Sequence, residues 1–187
     1  MTLSSGGSFP AEYEAEFIDL PGSGEADFTF TDGRGPDRVR AIAVVPTGAT
    51  PWTGTFAATD PPTRLAVSGI FATPNPTVLS AVVRGTPFLV NARRPANYEL
   101  VRSGGPVVAV QQAIDDMLLL LVTPWAVAAV GSAGVAWTTR RIAIEGIRLD
   151  EIEAGWLRGV ADPDDAEPRE FAIALATGDV IGGAAIS

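Results

Sequence analysis

Proline and glycine interrupt this chain so often that it has little room for long regular elements. The sequence contains 15 prolines and 20 glycines, and they separate short apolar runs. Proline lacks a backbone donor and glycine adopts turn conformations, so each interruption predicts a turn or loop. No stretch carries apolar residues at the spacing of an amphipathic helix between caps. The pattern therefore predicts a series of short strands.

Alternation within the runs supports strands. From Glu12 to Phe17, acidic and apolar residues alternate, which a strand places on opposite faces. Phe28 and Phe30 share one face of a second strand. Residues 150–154 could form a helical turn at most. Further strands are predicted over residues 39–45, 53–59, 64–71, 78–84, 88–92, 98–101, 107–111, 117–123, 125–130, 135–138, 147–152, 156–161, 171–175 and 180–181.

The predicted fold is all-β, a mostly antiparallel meander of many short strands in sandwich or propeller-like sheets, with little or no helix. Residues 118–137 and 156–181 share a strand–turn–strand pattern at an offset of about 40 residues, the size of a propeller blade. The first third does not show this pattern, so a meander with blade-like hairpins is favoured over a complete propeller. Residues 1–187 are predicted to form a single β domain, with 1–33 as an acidic N-terminal hairpin or arm and 34–187 as the core.

Three residue types are missing, and their absence restricts the chemistry. The chain has no cysteine, histidine or lysine, and all 13 basic residues are arginine. This excludes Ser-His-Asp and Cys-His nucleophile systems, lysine Schiff bases and the phosphate-binding lysine of P-loops. Without cysteine and histidine, the chain has almost none of the ligands that zinc sites use. No cofactor is predicted, and any enzymatic reading has to use carboxylates, hydroxyls and arginine, with or without a hard metal ion.

The net charge of −9 restricts the classes of partner that are expected for this chain. Nucleic acid and anionic lipid both require a concentrated positive surface, so neither is expected. An acidic surface suits a basic protein partner. The first 17 residues lack the basic and apolar regions of a signal peptide, and the most apolar stretch, 117–130, is short and contains Pro124. Cytoplasmic residence without membrane association is expected.

Acidic residues cluster in three places. The densest cluster, residues 162–167, could supply oxygen ligands to Ca²⁺ or Mg²⁺. Its spacing is not that of an EF-hand, so a solvated hairpin turn is favoured. A turn also explains Asp115-Asp116 better than an acid of raised pKa does. A glycosidase-like pair is conceivable near Arg148 and Arg158, where cross-strand ion pairs are favoured. No metal site is therefore predicted; the weak candidates are Asp162, Asp164, Asp165 and Glu167, and the glycosidase candidates are Asp150, Glu151 and Glu153.

Arginine pairs and large aromatics are the candidate binding residues. Arginine binds carboxylates and phosphates through two parallel hydrogen bonds, although internal pairing with the surplus acids explains such residues equally well. Tryptophan and tyrosine could form a platform for a sugar or a peptide, and packing at the edge of the core is the alternative. The candidates are Trp52, Tyr98, Trp125, Trp137, Trp156, Arg93, Arg94, Arg140 and Arg141.

Five segments in the last two-thirds of the chain read GIFATPNPTVLSAVVRG, TPFLVNARRP, LLLLV, GVAWTTRRIAIEGIRLDEIEAGWLRG and FAIALATGDVIGG. Together they resemble an uncharacterised family of small β-rich bacterial proteins, frequent in actinobacteria. The chain departs from the family pattern at residues 145–147, where Asp-Gly-Leu is expected, and at residues 174–175, where Asp-Leu is expected. The resemblance implies a recurrent bacterial β-fold and no particular activity.

The best functional prediction is a non-enzymatic, cytoplasmic binding or accessory protein that recognises another protein through a β-sheet face or its acidic surface. Two alternatives stay open. One is a protein that binds a small ligand, such as a sugar or an acidic metabolite, through its tryptophans and arginines. The other is a carboxylate-based hydrolase, with or without a metal ion.

Overall fold

A computed structural model describes residues 8–20, 22, 25–33, 38–59 and 63–184. Sixteen strands fill this part of the chain: β1 Tyr13–Ile18, β2 Phe28–Thr31, β3 Arg38–Pro46, β4 Trp52–Ala58, β5 Gly69–Ala72, β6 Val78–Val83, β7 Thr86–Asn91, β8 Tyr98–Leu100, β9 Ala109–Ala113, β10 Leu118–Val122, β11 Val127–Gly131, β12 Gly134–Thr138, β13 Ile147–Glu153, β14 Trp156–Ala161, β15 Arg169–Ala174 and β16 Val180–Gly182. The all-β prediction is confirmed, and the described residues contain no helix.

The strands form four sheets of four strands that follow one another along the chain. Sheets 2, 3 and 4 are antiparallel meanders made of β5–β8, β9–β12 and β13–β16. Their first strands begin at Gly69, Ala109 and Ile147, a spacing of about 40 residues that matches the repeat seen in the sequence. Each of these three sheets therefore resembles a propeller blade, which is a four-stranded antiparallel sheet.

Sheet 1 has the same number of strands in a different order, β1-β3-β4-β2. β3 and β4 are its central antiparallel pair, and β2 runs parallel to β4 along one edge. β1 lies along the opposite edge, so the first two strands do not pair with each other. This reordering explains why the first third of the sequence does not show the repeat of the other three sheets.

Core residues lie between consecutive sheets. One buried cluster joins sheets 1 and 2 around Phe30, Phe56 and Phe88, a second joins sheets 2 and 3, and a third joins sheets 3 and 4. Within the described residues, none of the three clusters contains members of both sheet 1 and sheet 4. The sheets therefore stack in series, and burial of their facing sides supplies the main stabilisation. None of the described elements is a helix long and apolar enough to cross a membrane.

One predicted strand, 64–71, is mostly wrong. Only its end is a strand, β5, and residues 64 and 65 form a turn. The reason is long-range: the Val67 N–H donates to the Val107 carbonyl (3.0 Å), and the Val67 carbonyl accepts from Gly85 N–H (2.8 Å). The backbone of Val67 is thus bonded to other connecting segments. The suggested helical turn over 150–154 is also absent, because β13 continues to Glu153 through a bulge between Leu149 and Glu151.

The segments that connect consecutive sheets form backbone hydrogen bonds to a turn of the preceding sheet. Val107, which precedes sheet 3, donates its N–H to the carbonyl of Gly85 in the β6–β7 turn (2.8 Å). Ile142, which precedes sheet 4, donates to the carbonyl of Trp125 in the β10–β11 turn (2.8 Å). These equivalent bonds bring connections and turns from several sheets to one end of the stack, and the groove described below lies there.

The β13–β14 hairpin offers a simple stabilising substitution. Ala154 and Gly155 both have positive φ, 50° and 77°, as a type I′ turn requires. Alanine pays a steric cost in this conformation that asparagine largely avoids. We expect Ala154→Asn to raise the free energy of unfolding by about 0.5–1 kcal/mol in denaturant titrations. Ala133→Asn, in a turn where residue 133 does not have positive φ, is the matched control; an equal gain there would contradict this explanation.

Candidate functional site

The large aromatic residues are distributed over the fold and do not form one platform. Trp52 is buried between sheets 1 and 2, where its Nε1 donates to the Ala92 carbonyl (2.7 Å). Trp137 packs against Gly178, and its Nε1 donates to the Leu175 carbonyl (2.7 Å). The Tyr98 ring lies 5.1 Å from that of Phe30 at the margin of the same core as Trp52. Trp156 is half-buried in β14.

Trp125 is the aromatic residue that lies at a groove. It occupies the turn between β10 and β11, where Thr123 Oγ1 accepts the N–H groups of Trp125 (3.2 Å) and Ala126 (2.9 Å). The Arg141 guanidinium lies 5.5 Å from the ring centroid, a cation–π distance. Gly105 packs so closely on the ring that a Cβ there would lie 2.5 Å from a ring carbon. The indole is therefore held rigidly, and two predicted binding residues, Trp125 and Arg141, lie together.

The groove has a volume of about 710 Å³ and is bordered by sheets 1, 2 and 3. The ends of β2 and β4 contribute Asp32 and Thr59, and the β6–β7 turn contributes Arg84. The segment after β8 contributes Arg102 and residues 103–106. The lining combines apolar walls with a few polar groups, as ligand-binding clefts do; the apolar members are Pro87, Leu100, Val101, Pro106 and Trp125.

The charged residues that line the groove are mostly basic. Its lining contains two arginines and one acid, and Arg141 adds a third cation beside Trp125, although the whole chain carries −9. Asp32 is already used locally, since its Oδ2 accepts from the Thr59 hydroxyl (2.9 Å) and N–H (3.2 Å). Arg102 is exposed and makes no ion pair with any described residue. Basic side chains therefore outnumber acidic ones among the described residues that line the groove.

The other predicted arginines have structural roles or lie elsewhere. Arg93 pairs with Glu12 (2.7 Å), which ties the start of β1 to sheet 2. Arg140 donates to the carbonyls of Gly182 (2.9 Å) and Ala184 (3.1 Å), which fastens the end of sheet 4. Arg94 is exposed outside the groove. Arg141 additionally donates to the carbonyls of Ala143 and Ile144 (3.0 and 3.2 Å).

Arg84 and Arg102 are the residues that sequence analysis missed, because it considered arginine pairs and not single arginines. The Arg84-Gly85 step between the predicted strands 78–84 and 88–92 is a usable signal, because glycine there is typical of a tight turn. Arg84 and Gly85 have φ of 49° and 79°, the geometry of a tight turn. A charged residue at such a turn projects from the end of a sheet, where connections from neighbouring sheets also gather.

The acidic cluster after β14 is not uniformly solvated as predicted. Asp164, Asp165 and Glu167 are exposed, but Asp162 is buried. Its Oδ1 accepts backbone N–H groups of Ile144 (2.8 Å), Glu145 (2.7 Å) and Gly146 (3.4 Å). Burial alone would raise the pKa of Asp162, but these bonds and Arg169 outweigh it and hold the pKa below its usual range. In the described part of the chain, no three acidic residues are grouped so that they could hold a metal ion.

The other acidic candidates lie in the turn before β10 or in β13 of sheet 4. Arg148 Nε lies 2.9 Å from Asp150, and Arg158 Nε lies 3.9 Å from Glu151. All four side chains are about half exposed, so these are surface ion pairs, which are individually weak. Asp115 and Asp116 occupy the turn before β10. Asp150, Glu151 and Arg158 also line a cavity of about 390 Å³, which is smaller than the groove.

Comparison of the chain with protein-family models finds no match, and comparison with curated proteins finds none either.

Proposed function

We propose that this chain is a non-enzymatic binding protein that holds a small anionic ligand in the groove. The observation that carries the proposal is the position of Arg102 and Arg84 beside the rigid Trp125 in a cleft of metabolite size. Arg102 forms no ion pair with a described acidic residue, and an arginine of this kind can form charge-assisted hydrogen bonds to a carboxylate. We also propose that the protein is located in the bacterial cytoplasm, as its sequence predicts.

Binding fits the groove better than catalysis does. The polar side chains that line it are the guanidinium groups of Arg84 and Arg102, the hydroxyls of Thr59, Thr86 and Ser103, and the Asp32 carboxylate. Guanidinium groups and hydroxyls orient an anion but are poor proton-transfer groups at neutral pH, and Asp32 Oδ2 already accepts two hydrogen bonds from Thr59. Ser103 Oγ is also occupied, since it donates to the Gly105 carbonyl (2.8 Å).

The test is a panel of small anions measured by calorimetry and tryptophan fluorescence. Succinate, citrate, sugar phosphates and inorganic phosphate are the probes, and glucose is the neutral comparison. We expect at least one anion to bind, and Arg102→Gln to weaken that binding about tenfold or more through loss of a charge-assisted bond. Trp125→Phe should remove the fluorescence response, because the other tryptophans lie outside the groove lining.

Arg94→Gln is the matched control, since it removes one exposed arginine elsewhere on the protein. It should leave the affinity unchanged apart from a small, salt-screened effect. Equal losses in the two variants would mean that overall charge, not the groove, controls binding. Binding of glucose without any anion would assign the groove to neutral sugars, and no binding at millimolar concentrations would refute the proposal.

A further inference from the structure

β1 presents an open strand edge on sheet 1. It pairs with β3 from Tyr13↔Pro46 to Ile18↔Ala41. The strand order places it first in the sheet, and no described strand pairs with its other side. An open edge is a template for a further strand, because its backbone donors and acceptors have no partner in the sheet.

The register shows which backbone groups face outward. The Thr47 N–H donates to the Glu12 carbonyl (2.8 Å), and Pro46, opposite Tyr13, has no N–H to donate. In an antiparallel pair, inward and outward backbone groups alternate along the strand. The backbone groups of Glu14 and Glu16 therefore point toward β3. Those of Ala15 and Phe17 point to the open edge.

The side chains along this edge define what could pair with it. Glu14 and Glu16 are exposed, and neither forms an ion pair with a described residue. Phe17 is 39% exposed at the end of the strand, and Leu20 beyond it is 56% exposed. A second copy of this strand would bring like charges side by side, which is unfavourable. A strand carrying arginine or lysine opposite the two glutamates would complement them.

We propose that β1 binds an extended segment of a partner protein with alternating basic and apolar residues, which adds a fifth strand to sheet 1. The backbone of Ala15 and Phe17 would provide the hydrogen bonds. Glu14 and Glu16 would select basic side chains on the outer face, and Phe17 would contact an apolar one. This surface is separate from the groove, so it can bind a protein partner whether or not the groove holds a ligand.

The proposal can be tested with the full-length chain and a short acetylated peptide of alternating arginine and valine. We expect fluorescence anisotropy to show binding, and a glutamate–valine peptide to show none. Ala15→Pro removes an outward N–H without removing a bond to β3, and proline is tolerated on an open edge. It should weaken peptide binding about tenfold or more, while far-UV circular dichroism and melting temperature stay close to wild type.

Charge selection has its own matched pair of variants. Glu14→Gln with Glu16→Gln should weaken binding and reduce its salt dependence. Glu153→Gln with Glu167→Gln removes two exposed acids from sheet 4 and should leave binding close to wild type. Equal binding by wild type and Ala15→Pro would overturn the proposal. An absence of peptide binding would also overturn it, and dimerisation of the Glu14→Gln, Glu16→Gln variant would then show that the glutamates only protect the edge.

Discussion

Replacing Asp162 by alanine is expected to lower the free energy of unfolding by about 3 kcal/mol at neutral pH. The side chain is 2% exposed, and its Oδ1 is the acceptor for three successive backbone N–H groups, those of residues 144–146. The Asp162 N–H donates in return to the Gly146 carbonyl (2.8 Å). The carboxylate therefore fixes the connection into sheet 4 to the β14–β15 turn, and its loss leaves those donors without an acceptor.

The Asp162→Asn variant tests the contribution of the charge of Asp162 separately from that of its shape. Asp162→Asn keeps an acceptor oxygen and tolerates the positive φ of 52° at this position. It loses the charge that strengthens the three bonds and attracts Arg169, whose Nη1 lies 4.0 Å from Oδ2. We expect a smaller cost of about 1.5–2 kcal/mol, measured by denaturant titration at pH 7.

The lowered pKa of Asp162 gives this contribution a defined pH dependence. A carboxyl whose pKa is lower in the folded than in the unfolded protein stabilises the fold above its unfolded pKa, about 4. As the pH falls below that value toward the lowered pKa of the folded state, the stabilisation is lost. The melting temperatures of wild type and Asp162→Asn should therefore differ most at neutral pH and converge below about pH 4.

Asp164→Asn is the control for this series, because it removes an exposed acid from the same turn. Its effect on unfolding should stay within about 0.5 kcal/mol. A gap between wild type and Asp162→Asn that does not change between pH 7 and pH 3 would show that the charge of Asp162 does not stabilise the fold.

The strands were predictable because their signals are local. Acid–apolar alternation in β1, the apolar run of β10 and the proline and glycine turns between strands each occupy a few adjacent residues. The order of sheet 1 was not predictable in this way, because β2 pairs with β4 across 26 residues of chain separation, as the Thr29–Thr55 contact illustrates. Local patterns predict that a strand forms but do not identify its partner.

The groove and the Asp162 contact depend on long-range arrangement for the same reason. Trp125 and Arg141 could be nominated from residue type, but Arg84 and Arg102 matter only because turns and connections of different sheets meet at one end of the stack. Asp162 looked like one of several solvated turn acids. Only the position of residues 144–146 beside it distinguishes it from Asp164.

Replacing Gly159 by alanine is expected to lower the free energy of unfolding by about 3–5 kcal/mol. Gly159 is buried in β14, between Leu149 of β13 and Phe171 of β15. A Cβ there would lie 2.3 Å from the Arg148 carbonyl oxygen and 2.6 Å from the Phe171 ring. Neither group can move freely, because one is backbone beside the β13 bulge and the other is part of the core between sheets 3 and 4.

Gly131→Ala is the matched control, since a Cβ at residue 131 would make only ordinary contacts, the nearest at 3.7 Å. We expect the melting temperature of Gly159→Ala to fall by about 6–15 °C and that of Gly131→Ala to change by a few degrees at most. Adding Phe171→Leu to Gly159→Ala should not restore stability, because the clash with the Arg148 carbonyl remains and the core loses an aromatic ring. Full recovery in that double variant would show that the ring, and not the backbone of the bulge, requires glycine at this position.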